Sequence, residues 1–208
     1  MFKENFAIDL GFLKMKSPPL IGVDISSSSI KMVELSQTGK GSQTYRIDRY
    51  VIESLPVDAM LDGGIANMEA VSECLLRSWK RMGTRYKNVA LALPATDVIT
   101  KKIIVPAGQR EDDLIFQVEN EASQYIPFPL DEVDLDFQIT RSISDSSEEV
   151  EVLIAASRKE KVEDRVAAAL SAGLKTMVMD VEPYAAQAAF ELTLNQLPGG
   201  GRDQIMAL

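Results

Sequence analysis

The 208-residue sequence predicts an α/β fold in which a larger sheet-and-helix body is interrupted by a smaller one. Three observations carry that prediction. Alternating apolar residues between 20 and 55 mark three strands joined by tight turns. Apolar residues at helical spacing mark helices near 68–82 and 114–126. After Asp97 a strand, helix, strand, strand order starts afresh before the first pattern resumes.

After Ser17-Pro18-Pro19, Leu20–Ile25 reads as a strand and Ile30–Leu35 as a second. A Gly39-Lys40-Gly41 turn leads to a third strand near 45–55, completing an antiparallel meander. Met68, Val71, Leu75, Leu76, Trp79 and Met82 share a helical face behind an Asn67 cap, and Gly83 stops the helix. Trp79 and Cys74 read as helix packing. The continuous apolar run Val89–Leu93 predicts a strand covered on both faces.

Val98–Val105 opens the second unit, followed by a helix with Leu114, Ile115, Val118, Ala122, Tyr125 and Ile126 on one face. Strands at Val133–Ile139 and Val150–Ala155 flank a solvated acidic loop, Ser142–Glu149. Ser157-Arg-Lys-Glu160 has the spacing of a capping box, which predicts a helix with Val162, Val166, Ala169 and Leu170 inward and Gly173 at its end. A strand at Thr176–Val181 and an alanine-rich helix opening at Glu182-Pro183 and running to about 194 follow. Gly199-Gly200-Gly201 reads as a linker, and Ile205–Leu208 as the opening of another strand, at which a larger protein is expected to have been cut. An unpaired edge there would offer a route to self-association.

With 46% apolar residues the chain can bury a real core. Its 31 acids against 22 bases, net charge −9, and its lack of any basic block argue against nucleic acid or anionic lipid as the main partner. The lone Cys74 cannot form an internal disulfide, and the absence of histidine removes the commonest metal ligand and general base. No run approaches the roughly 20 apolar residues of a membrane span. Met1–Lys16 has an apolar run broken by Asp9 and Gly11, and reads as a loosely ordered tail or a weak docking helix rather than a signal peptide.

Between the first two strands stands Asp24-Ile25 followed by four serines, Ser26–Ser29. A strand that ends in an acid and turns through small residues can present backbone N–H groups to a phosphate, with the acid near a hydrated Mg2+ and Lys31 pointing back at the same anion. The same pattern also describes an ordinary serine-rich turn, and the residues alone leave both readings open.

The stretches PLIGVDISSSSIKMVEL, ALPATDVITKKI, VENEASQYIPFPLDEVDLDF, VLIAASRKEKVEDR and VMDVEPYAAQAAF resemble the PilM family of type IV pilus assembly proteins, over nearly everything from Pro19 to Phe190. The most specific stretch is Gln124-Tyr-Ile-Pro-Phe-Pro129. The resemblance implies the N-terminal half of an actin-like, ribonuclease H-like fold. Residues 20–96 and 173–208 would form subdomain 1A, 97–172 an inserted strand-helix-strand-strand (1C, SHS2-type) subdomain, and 1–19 a tail. It further implies a cytoplasmic protein, peripheral to the inner membrane, that binds ATP and Mg2+. Such a protein docks the cytoplasmic N-terminal peptide of PilN between 1A and 1C and so joins the inner-membrane alignment complex of the pilus machine.

Residue by residue, the resemblance makes Asp24 the Mg2+-associated acid, Ser26, Ser27 and Ser28 the phosphate turn, and Lys31 a phosphate contact. Tyr125, Ile126 and Phe128 are read either as a wall of the peptide groove or as core of the inserted unit. Many actin-like relatives have glycine where this chain has Ser26, which requires a backbone conformation that a Cβ tolerates. Two other readings belong to the same superfamily: a scaffold resembling the cell-division protein FtsA, and an ATP-dependent enzyme. The second finds no complete set of catalytic residues here. Half of an actin-like cleft would leave the base and much of the phosphate chain in water, so ATP binding is expected to be weaker than in an intact relative by ~100-fold or more, about 3 kcal/mol.

Overall fold

The computed structural model describes residues 19–38, 44–142, 148–194 and 197. The expected turn at 39–41, the linker at 199–201, the strand opening at 205–208 and the tail at 1–18 lie outside the described residues. So does most of the acidic loop.

Strands β1 (Ile21–Ile25), β2 (Ser29–Gln37) and β3 (Tyr45–Ser54) form the antiparallel meander. A short hairpin, β4 (Met60–Leu61) and β5 (Gly64–Ile65), then turns through Asp62 and Gly63, both at positive φ (48° and 78°). An Asp-Gly pair at those angles is a favoured two-residue hairpin turn. Helix α1 (Met68–Met82) follows, with the Asn67 side chain accepting from the Ala70 N–H at 3.0 Å and Gly83 closing it at φ 66°.

Strand β6 (Asn88–Leu93) runs parallel to β1 and leads through a 3-10 turn, Ala95–Asp97, into the inserted unit. That unit holds β7 (Val98–Pro106), α2 (Glu111–Tyr125), β8 (Val133–Ser142) and β9 (Glu149–Arg158). The chain returns through α3 (Lys159–Ser171) to β10 (Lys175–Val181), parallel to β6, and ends its described helices with α4 (Glu182–Glu191). The larger sheet has the order β10-β6-β1-β2-β3, and the smaller the order β7-β9-β8.

Each sheet has its own core. Ile21, Val23 and Ile25 of β1, Ile30 and Met32 of β2, and Val89 and Leu91 of β6 point to one face of the larger sheet, against Val71, Cys74 and Leu75 of α1. In the smaller sheet, Ile103, Val105, Val152 and Ile154 pack on Leu114, Val118 and Ala122 of α2. Ala168, Ala169 and Ala172, around the end of α3, belong to the first core, so we propose that the inserted unit spans 98–158 rather than extending to 172. Val98 and Ser157 are paired partners, so the unit enters and leaves through adjacent strands.

Four local expectations need correction. Ser157 does not cap α3: it lies in β9, paired with Val98 and Asp134, and the helix begins at Lys159 after an Arg158 N-cap with no side-chain hydrogen bond. Continuation of the strand ladder to Arg158 removes the serine from capping reach. On α2, Ile115 and Tyr125 flank the buried stripe and are exposed, and on α3 Leu170 is exposed while Arg165 takes an inward position. Strand β6 buries Val89, Leu91 and Leu93, but Ala90 and Ala92 on its other face are only half-buried beside α4. Helix α3 does end at Gly173, where the Leu174 N–H reaches Ala169 O and the Gly173 N–H reaches Leu170 O, a Schellman closure.

Replacing 98–158 by a short Gly-Ser linker is expected to leave a soluble protein with cooperative thermal unfolding. Removing 98–172 takes away α3 and its cover over α1, and is expected to abolish the cooperative transition. The same melting behaviour for both deletions would place the boundary elsewhere.

Candidate functional site

Strands β1, β6 and β10 are parallel, so their carboxyl ends lie on one side of the larger sheet. Ligands of open parallel sheets bind there because loops diverge from the strand ends and leave a crevice. Here those ends bring together Asp24 and the serine turn, the Asp97 turn, and the β10–α4 corner at Glu182.

Asp24 and Lys31 are directly opposed across the β1–β2 pair, and the Lys31 Nζ donates to Asp24 Oδ2 at 2.6 Å and to Ser26 Oγ at 3.2 Å. Both side chains are nearly half exposed, 41% for Asp24 and 48% for Lys31. A pair that wet contributes at most about 1 kcal/mol to stability, so the hairpin does not depend on it and both groups are accessible to a ligand. The Ser26 N–H and Oγ both bond to Ser29 O, at 3.0 and 2.9 Å, which closes the turn. The Ser27 and Ser28 N–H groups make no hydrogen bond among the described residues, and both residues are exposed. Ser26 is not among the residues at positive φ, so its Cβ is tolerated where a glycine was the alternative.

This donor set fits a phosphate: two N–H groups without a partner among the described residues and one ammonium, on a turn closed by the Ser26 hydroxyl. It offers a magnesium ion a single carboxylate, and among the described residues no group of three or more Cys, Asp or Glu side chains converges on a metal. That suits an ion held largely through water and phosphate oxygens.

Two further groups at this end are not among the expected site residues. Glu182 has its carboxyl pushed above the usual range by burial and by Asp24, with Arg165 and Lys31 acting in the opposite direction. Arg165 is 1% exposed; its Nη2 donates to Gly63 O at 2.9 Å and its Nη1 stands 3.9 Å from Asp97 Oδ2. Burial pulls its guanidinium below the usual range, and Asp97, Glu182, Asp164 and Asp24 oppose that pull. Glu182-Pro183 reads locally as a helix start, and only the parallel strand order makes it part of a site.

A second concavity, 340 Å3, lies between the two sheets. Its inserted-unit wall is the face of β8 and β9 turned away from α2, with Asp134, Asp136, Leu153, Ala155 and Ser157, and its other wall is Met179, Asp180, Val181 and Tyr184 at the β10–α4 corner. None of Tyr125, Ile126 and Phe128 lines it. Ile126 is 8% exposed and packs in the inserted core. Tyr125 is exposed with the Lys101 ammonium 4.2 Å from its ring centroid, and Phe128 lies under the Arg158 guanidinium at 5.2 Å. Ile126 and Phe128 line a separate 120 Å3 cavity on the α2 side.

A third cavity, 640 Å3, opens on the outer face of the larger sheet, where Val33, Tyr50, Ile52, Ala90, Ala92, Ala185 and Ala186 surround the Asp24–Lys31 pair. Tyr50 and Ile52 are 72% and 58% exposed there.

A meander followed by parallel strands, with a serine turn between β1 and β2 and a strand-helix-strand-strand unit inserted after β6, defines the class: an actin-like α/β protein carrying a 1C-type insertion. Residues 22–208 match the model of the type IV pilus assembly protein PilM family, and the chain belongs to that family. A solved structure described as the PilM-PilN type IV pilus biogenesis complex is 30% identical, with a TM-score of 0.75 over 87% of this chain and 52% of that one. The chain therefore spans about half the length of that neighbour. The cytoplasmic domain of EpsL, an inner-membrane component of the type II secretion system of Vibrio cholerae, matches at 14% identity and a TM-score of 0.45, over 78% of this chain and 57% of that one. No helix among the described residues is long and apolar enough to cross a membrane.

Glu182→Gln is expected to raise the melting temperature at pH 7–8, because the native carboxylate is held charged against burial and Asp24. Acidification protonates Glu182 at a pH above the ordinary glutamate range, so the difference between the two proteins should shrink as pH falls. A difference that grows on acidification, followed by circular dichroism melts, would contradict the placement of Glu182.

Proposed function

We propose that this chain is the part of a type IV pilus assembly protein that holds nucleotide phosphates at the serine turn and docks an N-terminal PilN-type peptide in the 340 Å3 groove. It would act in the cytoplasm and reach the inner-membrane alignment complex through that peptide. The observation that carries the docking assignment is the groove itself. It lies between the two sheets, has an apolar floor, and occurs in a chain whose solved neighbour is a PilM-PilN complex. An extended peptide gains affinity in such a groove from backbone hydrogen bonds and from pockets for alternate side chains. The assignment moves the peptide away from Tyr125, Ile126 and Phe128.

At the other site, Ser27 and Ser28 would offer N–H groups to phosphate oxygens and Lys31 its charge, with Ser26 closing the turn and Asp24 beside a hydrated Mg2+. Bound magnesium would neutralise the phosphate charge that these residues only partly offset. Holding the nucleotide is the role assigned here.

Titration with a synthetic peptide matching the N-terminus of the cognate PilN is expected to give saturable binding. Ala155→Trp, which fills the groove, should abolish it while leaving the circular dichroism spectrum unchanged. Well-folded wild-type protein that binds nothing, or an Ala155→Trp protein that binds as well as wild type, would overturn the docking site. At the serine turn, MgATP is expected to shift the amide resonances of Ser26–Ser28 in the wild type and to leave them unmoved in Lys31→Met. Equal shifts in both proteins would remove Lys31 from the site.

A further inference from the structure

The docking groove carries a charge pattern that specifies its occupant beyond an apolar strand. Three aspartates line it: Asp134 and Asp136 on β8, and Asp180 at the end of β10. No Lys or Arg is among its lining residues, and none of the three acids lies within ion-pair distance of a cation among the described residues. Lys102, on the neighbouring strand β7, is engaged with Glu151 at 3.1 Å. Between the acids the floor is apolar, made by Leu153, Ala155, Met179 and Val181.

A second feature points to an occupant independently of the acids. Ser157 lines the same groove as well as the 120 Å3 cavity behind it, is 7% exposed, and its buried Oγ has no hydrogen-bond partner among the described residues. A hydroxyl held dry without a partner costs free energy that a ligand's amide or carbonyl would recover. The sequence assigned this serine to a helix cap, and its release from that role leaves it facing the groove.

Resting on the peptide-docking reading, we infer that the groove selects a cationic apolar peptide: a segment whose side chains fill the floor, whose backbone bonds to Ser157, and whose lysine, arginine or free α-amino group sits among Asp134, Asp136 and Asp180. The groove also desolvates Asp136, whose carboxyl is pushed above the ordinary range while only the Phe137 N–H, at 2.8 Å, opposes the shift. An incoming cation relieves that cost. A neutral or acidic peptide of the same shape would add nothing for the acids or would be repelled by them, so the triad acts against wrong partners as well as for the right one.

The test compares two peptides labelled at the C-terminus. One is the N-terminal segment of the cognate PilN with its α-amine free and its basic residues intact; the other is N-acetylated with each Lys and Arg replaced by Gln. Fluorescence anisotropy at low salt is expected to show the cationic form binding about tenfold or more tightly, with the gap narrowing as salt is raised. In the triple variant Asp134→Asn, Asp136→Asn, Asp180→Asn the two peptides should bind alike, and Ser157→Ala should weaken both equally. Equal binding of the two peptides to the wild type would overturn the charge selection while leaving the docking site standing. So would a gap that persists in the triple variant. Failure of both peptides to bind folded wild type would instead remove the docking site on which the inference rests.

Discussion

One buried guanidinium ties together the parts that make the sites. Arg165 projects from α3, donates to the Gly63 carbonyl in the β4–β5 hairpin, and faces Asp97 at the mouth of the inserted unit. These three segments are distant in sequence, and each borders the carboxyl ends of the parallel strands. An arginine cannot shed its proton to escape burial, so its charge must be met by fixed partners. At 3.9 Å the Asp97 contact is an ion pair without a hydrogen bond, and the Arg165 Nε and Nη1 have no hydrogen-bond partner among the described residues. Removal of one member of a buried pair of this kind costs about 3–5 kcal/mol, because the other is left charged and dry. Asp97 stands one residue before the inserted unit, so this contact ties α3 and the β4–β5 hairpin to the point at which the insertion leaves the larger sheet.

Most of the fold was legible because most of its elements are locally consistent. Asn67 and Gly83 bracket α1 as side-chain cap and left-handed stop, and the alternation of β1 and β2 places Ile21, Val23, Ile25, Ile30 and Met32 on one face without tertiary information. Errors arose where a local signal competed with a long-range one. Ser157-x-x-Glu160 has capping-box spacing, but the ladder from β9 to both β7 and β8 extends through Ser157, and two rows of backbone hydrogen bonds outweigh one side-chain cap. Leu170 left its expected inward place for a related reason: the face of α3 that meets α1 is set by close packing of Ala168, Ala169 and Ala172, and Leu170 falls to the outside of it.

The sites divide along the same line. Asp24, Ser26 and Lys31 meet through a hairpin with six residues between the two charges, so a single sequence window contains the whole constellation. Glu182 and Arg165 come to that end of the sheet from more than 130 residues away, through strand order and helix packing that no window displays. The groove is still less visible, since its walls come from two sheets and its acids sit on strands whose alternation reads simply as solvated.

The β10–α4 corner is the point at which the two sites cease to be separate. Asp180 lines both the groove between the sheets and the outer cavity that contains the Asp24–Lys31 pair, and Glu182, two residues on, feels Asp24, Arg165 and Lys31 together. A charge brought beside Asp24 and Lys31 changes the cost of holding Glu182 ionised, because both of those groups act on its carboxyl. Any resulting change in affinity at one site must be matched by the same factor at the other, whatever path the coupling takes. The corner is a strand end joined directly to a helix start, with Pro183 in the first helical turn, so it has little freedom to absorb such a change locally. Were both cavities occupied as proposed, this shared wall with its two carboxylates would be the element through which one occupant acts on the other.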